Sequence, residues 1–544
     1  MRIAHAVFLV AACAACTGVI AEPSGSDPSE PRDVPLESCE DGEELPPPAR
    51  LWVLTDTQHA NAIHDLLGDE VVLPEVRTPG VATSQFVHEA GLHRVSAPLL
   101  TQYQDAAEAA AAQAVARIEV IVPCDAGESV SCAEAFVDDF APRAFRRPLE
   151  SDERAALRAI YELGAEEGFA AGIGLVIEAV LQAPDFLYRT ELGPASATGA
   201  HVELTPFELA SALSFLLLDS IPDPPLWAAA LDGSLSDPGE LAAHTARLLE
   251  LPRARARIED AILTWVGVER VLSVEKDPSL FPEVDDALRA SMLEETTRFV
   301  HDVLWERDGS LAALLASPRT FVDSPLATLY GVDPPSAGSG WVDLDPTQRA
   351  GILTHASVLA THAGPERTSI VHRGLFVNRL FLCLPEIAPP PPDLIDGVAD
   401  DTEGLGEREL ADYRAGNATC AACHVRIDPP GIALEHYDAV GRWRTEADGS
   451  PVDATTSFAI GDAPAREMSG AVELARALAE SDEVAACVAE QMIQFAFGRV
   501  LGGEAACSRA DVVERFEAEE RDLVEIFRAI PETPAFRTRK RELP

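Results

Sequence analysis

The chain has 544 residues, 47% of them hydrophobic, which allows three or four ordinary domains with full-sized cores. Asp and Glu number 90 against 42 Lys and Arg, giving a formal charge of −48. A surface this acidic repels phosphate backbones and anionic headgroups, which argues against nucleic-acid partners and against membrane binding through basic patches.

The N-terminus reads as an export signal, expected over 1–21. Arg2 supplies the positive end, and Ile3 to Ile20 is apolar and Ala-rich. Val10-Ala11-Ala12-Cys13 has the form of a bacterial lipoprotein site, which would leave Cys13 to carry lipid; ordinary cleavage after Ala21 is the rival. Either route predicts an exported protein of the periplasm or outer membrane, touching the membrane only through the possible lipid. Residues 22–48 are rich in Pro, Ser and acid and read as a disordered tether.

The remainder reads as mainly α, a series of helical modules with a small cytochrome-like segment towards the C-terminus. Modules are expected at 49–123, 133–195 and 202–335, then 345–395 with a Pro-rich spacer, 396–455 and 456–544. Gly168 to Phe186 reads as a buried helix, because Glu178 and Gln182 interrupt it. Thr205-Pro206-Phe207-Glu208 is a capping box that opens a helix to Leu218. Asp237-Pro238-Gly239-Glu240 repeats that logic before Leu241, Thr245, Leu248 and Leu249. Helical stripes follow at Leu288, Met292, Phe299, Val300 and Val303, and at Val484, Val488, Met492 and Phe495. Val513, Phe516, Leu523, Phe527 and Ile530 read as the last. Pro389 to Pro392 should be extended.

Ten cysteines occur, two of them (Cys13 and Cys16) in the signal. Cys124 and Cys132 bracket a short acidic loop and are expected to pair. Cys487 and Cys507 flank a helix end and are expected to pair as well, leaving Cys39 and Cys383 over.

The most specific chemistry lies in Cys420, Cys423 and His424, a C-x-x-C-H motif by which haem c can be attached covalently. The thiols would add to the haem vinyl groups and His424 would ligate the iron. A simple Cys420–Cys423 disulfide is the alternative. Zinc would need a second ligand pair at similar spacing, and a thioredoxin-like motif would need a βαβ context. Met468 is the candidate distal ligand, with His436, His355, His362 and His372 as others. His355 and His362 would also share a helix face. Asp428-Pro429-Pro430-Gly431 is expected to turn the chain directly after His424 and fold Ile432 and Leu434 over an apolar ring face. Tyr437 and Trp443 would pack against a haem edge. Arg442 and Arg444 would pair with propionates, or else with Glu435, Asp438 or Asp448. Glu435, Asp438 and Asp453 offer a rival reading as calcium ligands or hydrolase carboxylates. No P-loop, Rossmann, G-x-S-x-G or H-E-x-x-H pattern accompanies them.

Several stretches together resemble a multi-domain bacterial family of unknown function, related to proteins with planctomycete-type cytochrome c domains. They are Leu54-Thr55 with Gln58, Asn61 and Asp65-Leu66-Leu67-Gly68; Arg143 to Leu149; Phe207-Glu208-Leu209-Ala210 with Trp265, Phe321-Val322 and Leu329-Tyr330-Gly331; and Arg349 to Thr354 with Arg373-Gly374. The resemblance covers nearly the whole mature chain in order and implies membership, not an activity. The reading is therefore an exported c-type-cytochrome-like electron carrier whose redox partner or envelope substrate is unnamed. The alternatives are a haem-free envelope scaffold with a Cys420–Cys423 disulfide and a carboxylate-based hydrolase.

Overall fold

The structure, a computed structural model, describes residues 39, 44–77, 86, 95–122, 129–385, 387, 402, 404–447, 449–501 and 503–541. The expected signal with Cys13 and Cys16, most of the tether and Pro389 to Pro392 lie outside the described residues.

Helices dominate the described chain, as the stripes predict. They begin where a side chain can accept the unpaired N–H groups of a first turn. Thr205 accepts from the Glu208 N–H, the Glu208 carboxylate accepts from the Thr205 N–H, and the helix Pro206–Leu217 follows. Asp237 caps Pro238–Leu249, whose buried face is Leu241, Thr245, Leu248 and Leu249. Asp286–His301 buries Leu288, Met292, Phe299 and Val300, and a wider π-type turn carries on to bury Val303. Asp482–Phe497 buries Val484, Val488, Met492 and Phe495. Gly168 to Phe186 contains the helix Phe169–Leu181. Among the described residues no helix is long and apolar enough to cross a membrane.

The last stripe is not one helix. It divides into Ala506–Ala518 and Leu523–Ala529, with Glu520 and Arg521 between them in the left-handed region (φ 56° and 60°). The break is held from outside. The Leu311 N–H donates to the Arg521 carbonyl and the Leu523 N–H donates to the Gly309 carbonyl. Two backbone bonds to a distant segment outweigh the local preference to continue.

Strands are short. Among the described residues they form two-stranded antiparallel pairs, including Arg50–Val53 with Tyr188–Glu191 and His201–Glu203 with Thr538–Lys540. One core cluster joins residues 54–187 with Phe215 and Ile221. A larger one unites the helices after Leu204 with Phe376, Leu434, Tyr437, Met468 and the C-terminal helices.

The disulfides correct one expected pairing. Cys39 bonds Cys507, and Cys383 bonds Cys487. Cys487 lies on a helix face against the Leu380 carbonyl (Sγ to O 3.5 Å). Cys507 opens a helix whose start faces the N-terminal strap: the Ala505 N–H donates to the Leu45 carbonyl and the Ser508 N–H to Glu44. The two cysteines near in sequence are therefore drawn to different neighbours. Cys132 is disulfide-bonded, and its expected partner Cys124 lies outside the described residues.

Candidate functional site

Cys420, Cys423 and His424 stand in the first two turns of the helix Ala418–Ile432. Asn417 starts it by accepting from the Thr419 and Cys420 N–H groups at 3.0 and 3.4 Å. Spacings of three and four residues place the two thiols and the imidazole on one helical face. Both thiols are free and half-buried, so the alternative disulfide is absent.

His424 is held from below. Its Nδ1 lies 2.9 Å from Asp428 Oδ1, one helical turn on. The other carboxylate oxygen accepts from Arg414 Nε at 2.8 Å. The Asp428 side chain is only 5% exposed, so this pairing occurs largely away from water. A carboxylate facing Nδ1 places the proton there and leaves the Nε2 lone pair for a metal. Metal-binding histidines usually have such a partner.

The expected turn after His424 does not form. The helix continues through Pro429 and Pro430 to Ile432. A proline inside a helix removes one N–H and strands a carbonyl one turn earlier. Here the carbonyl stranded by Pro430 belongs to Arg426, and Asn378 Nδ2 donates to it at 2.8 Å. The one stranded by Pro429 belongs to Val425, an exposed position. Ile432 therefore packs with Ile370 and Ala411, and Leu434 enters the main core, rather than either returning over the motif. Asn378 belongs to the helix Ile370–Leu380, which crosses this one closely at Gly374 and Gly431.

Other sequence-predicted residues lie in separate settings. Met468 is in the strand Arg466–Ser469, opposite Thr456, and is 1% exposed within the main core, not in a loop. His436 stacks on Trp443 (centroids 4.5 Å apart) and its Nδ1 lies 3.0 Å from the Arg444 carbonyl. Tyr437 is fully buried, with its hydroxyl donating to the Gln348 carbonyl. Arg442 pairs with Glu283 and Asp438, and Arg444 with Glu435 at 2.9 Å. Glu435 also accepts from Thr368, Asp438 from the Val440 and Arg442 N–H groups, and Asp453 from the Thr455 N–H. His355 meets Thr296, whereas His362 packs against Phe376 with the rings tilted by 34°. The two histidines thus face different neighbours.

The donor set fits covalent haem better than zinc. Among the described residues no group of three or more His, Cys, Asp or Glu is arranged to hold a metal ion. Cys420, Cys423 and His424 therefore do not converge on one point, as zinc ligands must. Haem attachment needs two thiols along one edge and a supported imidazole beside them, which this helix face provides.

A buried polar network near the fourth module escapes sequence reading. Glu295 is fully buried and accepts from Thr320 Oγ1 at 2.8 Å and from the Tyr330 hydroxyl at 2.7 Å. His355 Nε2 lies 4.0 Å from it. Burial raises the Glu295 carboxyl to about 7, against the pull of these bonds and of Arg349. A folded-state pKa above the unfolded one means that the fold binds the proton more tightly. That contribution is complete below about pH 4.5 and is lost as pH rises towards 7. Glu295→Gln should therefore gain roughly 3 kcal/mol relative to the parent between pH 5 and 8, read from denaturant melts at each pH. Burial lowers His355 to about 3, so its own contribution disappears in the opposite direction, as pH falls below about 6.5.

Five family models, each described as a protein of unknown function, match the chain in succession. They are DUF1587 over residues 53–116, DUF1595 over 132–191, DUF1592 over 204–332, DUF1588 over 349–447 and DUF1585 over 465–536. The DUF1588 match contains Cys420, Cys423, His424 and Asp428. No curated protein and no solved structure matches.

Proposed function

Because the chain belongs to a multi-module family of unknown function related to planctomycete-type cytochrome c domain proteins, we propose that it is an exported, c-type-cytochrome-like protein that carries electrons in the cell envelope. The observation that carries this reading is a carboxylate-supported His424 beside two free thiols on one helical face. Bound there, haem supplies a one-electron redox centre.

The residues have separate tasks in this reading. Cys420 and Cys423 would hold the group through thioether bonds, and His424 would offer Nε2 to the iron. Asp428, itself held by Arg414, keeps the imidazole oriented and strengthens its donation. Arg442 and Arg444 keep their pairs with Glu283, Asp438 and Glu435, and Arg442 is the more exposed of the two. The Met468 thioether is enclosed in the main core, in a strand opposite Thr456. Export is supported by the Cys39–Cys507 and Cys383–Cys487 bonds, which persist in oxidising compartments, together with the apolar start of the chain.

Expression in a host with haem-attachment machinery tests the reading. The purified protein should show Soret and α bands, and Cys420→Ala/Cys423→Ala should abolish them without lowering the melting temperature by more than a few degrees. A colourless parent protein would leave the haem-free envelope scaffold in its place.

A further inference from the structure

The helix Ile370–Leu380 has a second functional face. Gly374 and Asn378 address the C-x-x-C-H helix, while His372, Phe376 and Arg379 line a cavity of about 540 Å³. The opposite wall comes from the end of the helix Pro252–Val266 and the turn after it, which bring in Trp265 and Arg270. His362 completes the lining. Its ring lies on Phe376 with centroids 4.3 Å apart, and its Nε2 is buried without a hydrogen-bond partner.

The charge of this cavity runs against that of the chain. Acidic residues outnumber Lys and Arg about two to one overall, yet Arg270, Arg379 and His372 line the cavity and no Asp or Glu does. The charge that Arg270 feels is another cation: burial and Arg379 both lower its pKa. Arg270 and Arg379 are both exposed, so water and salt screen their repulsion, and a bound anion would cancel what remains. Burial, with Arg270, His372 and Arg373, depresses His362 to about 3, so the imidazole adds no charge to the lining. The size is that of a small-molecule site, and polar and apolar residues share its lining, as such sites require.

We propose that this cavity binds a small organic anion, with its carboxylate or phosphate on Arg270 and Arg379 and its apolar body against the side of the lining formed by Leu375, Phe376 and His362. The site lies on a different face of the Ile370–Leu380 helix from Gly374 and Asn378 and uses none of Cys420, Cys423, His424 and Asp428.

Calorimetric titration of the mature protein with benzoate, phenyl phosphate, inorganic phosphate and benzyl alcohol tests it. Benzoate or phenyl phosphate should saturate a single site. Inorganic phosphate and benzyl alcohol, each lacking one half of the ligand, should bind about tenfold or more weakly. Arg270→Gln/Arg379→Gln should weaken binding by about a hundredfold, since charge-assisted bonds are lost, without lowering the melting temperature. On the parent protein alone, saturating benzoate should shift the ring resonances of His362. Absence of saturation, equal binding of inorganic phosphate, unchanged affinity in the double variant or an unmoved His362 signal would each overturn the proposal.

Discussion

Replacing Glu191 by Ala is expected to destabilise the protein by about 3–5 kcal/mol, a large part of the stability of an ordinary domain. Glu191 lies at the meeting point of the strands Arg50–Val53 and Tyr188–Glu191 and the C-terminal strand Thr538–Lys540. Its Oε2 accepts from Arg50 Nε at 2.9 Å and from Arg539 Nε at 2.7 Å, and Arg189 Nη2 lies 3.8 Å from Oε1. All four side chains are nearly enclosed, with Arg539 1% exposed and Glu191 3%. Arg50 and Arg189 also cover the Trp52 ring, 3.7 and 4.6 Å from its centroid. Removing the carboxylate leaves Arg50 and Arg539 in a dry place without their counter-charge, and Arg189 with only the nearby Asp219, and this mechanism gives the larger mutational losses. Glu191→Gln keeps an acceptor but not the charge and should fall between. Burial opposes ionisation of Glu191, but Arg50, Arg539 and Arg189 outweigh it and hold the carboxyl at about 2. The stability it lends is therefore present above about pH 4.5 and lost as pH falls through 2. Denaturant midpoints of the parent and both variants, taken at neutral pH and near pH 3, check this.

Gly374→Ala and Gly431→Ala are expected to cost about 3 kcal/mol each, through overpacking between two helices that cannot easily separate. A methyl group on Gly374 would strike the Ile427 carbonyl oxygen, and one on Gly431 the Ile370 carbonyl oxygen. These are backbone atoms, so no rotamer change relieves the clash. Separation would also stretch the Asn378 bond that satisfies the Arg426 carbonyl stranded by Pro430. Gly416, at the end of the preceding helix, is the control. No atom lies within 4 Å of a methyl group placed there, so Gly416→Ala should stay within about 0.5 kcal/mol of the parent. The crossing carries His424 and Asp428, so the two destabilised variants should also hold less haem. Equal stability of all three variants would show that the crossing does not set the site.

These contacts show where sequence reading succeeds and where it ends. Helix starts were legible because a cap is local: Thr205 with Glu208, and Asp237 with the Gly239 and Glu240 N–H groups, satisfy their first turns within a few residues. The buried stripes were legible for the same reason, since one face of a helix repeats with a fixed period. Cys420, Cys423 and His424 were legible as a motif. Asp428 was not, although its spacing of four from His424 is the helical one, because two prolines after it read as a turn. The helix survives them through Asn378, from a different part of the chain. The Cys39–Cys507 pairing, the Glu191 cluster and the place of Met468 in the core likewise depend on partners far away in sequence, which no local pattern encodes. The stop between Ala518 and Leu523 came from the Gly309–Leu311 backbone rather than from its own residues.

Intact mass of the mature protein, purified from a host able to attach haem and measured after full reduction, addresses the Cys420–Cys423–His424 assignment most directly. Thioether bonds survive reduction, whereas disulfides open. The expected spectrum is a single species heavier than the reduced polypeptide by one haem, and lighter by that increment in Cys420→Ala/Cys423→Ala. A reduced parent protein at the bare polypeptide mass would contradict it.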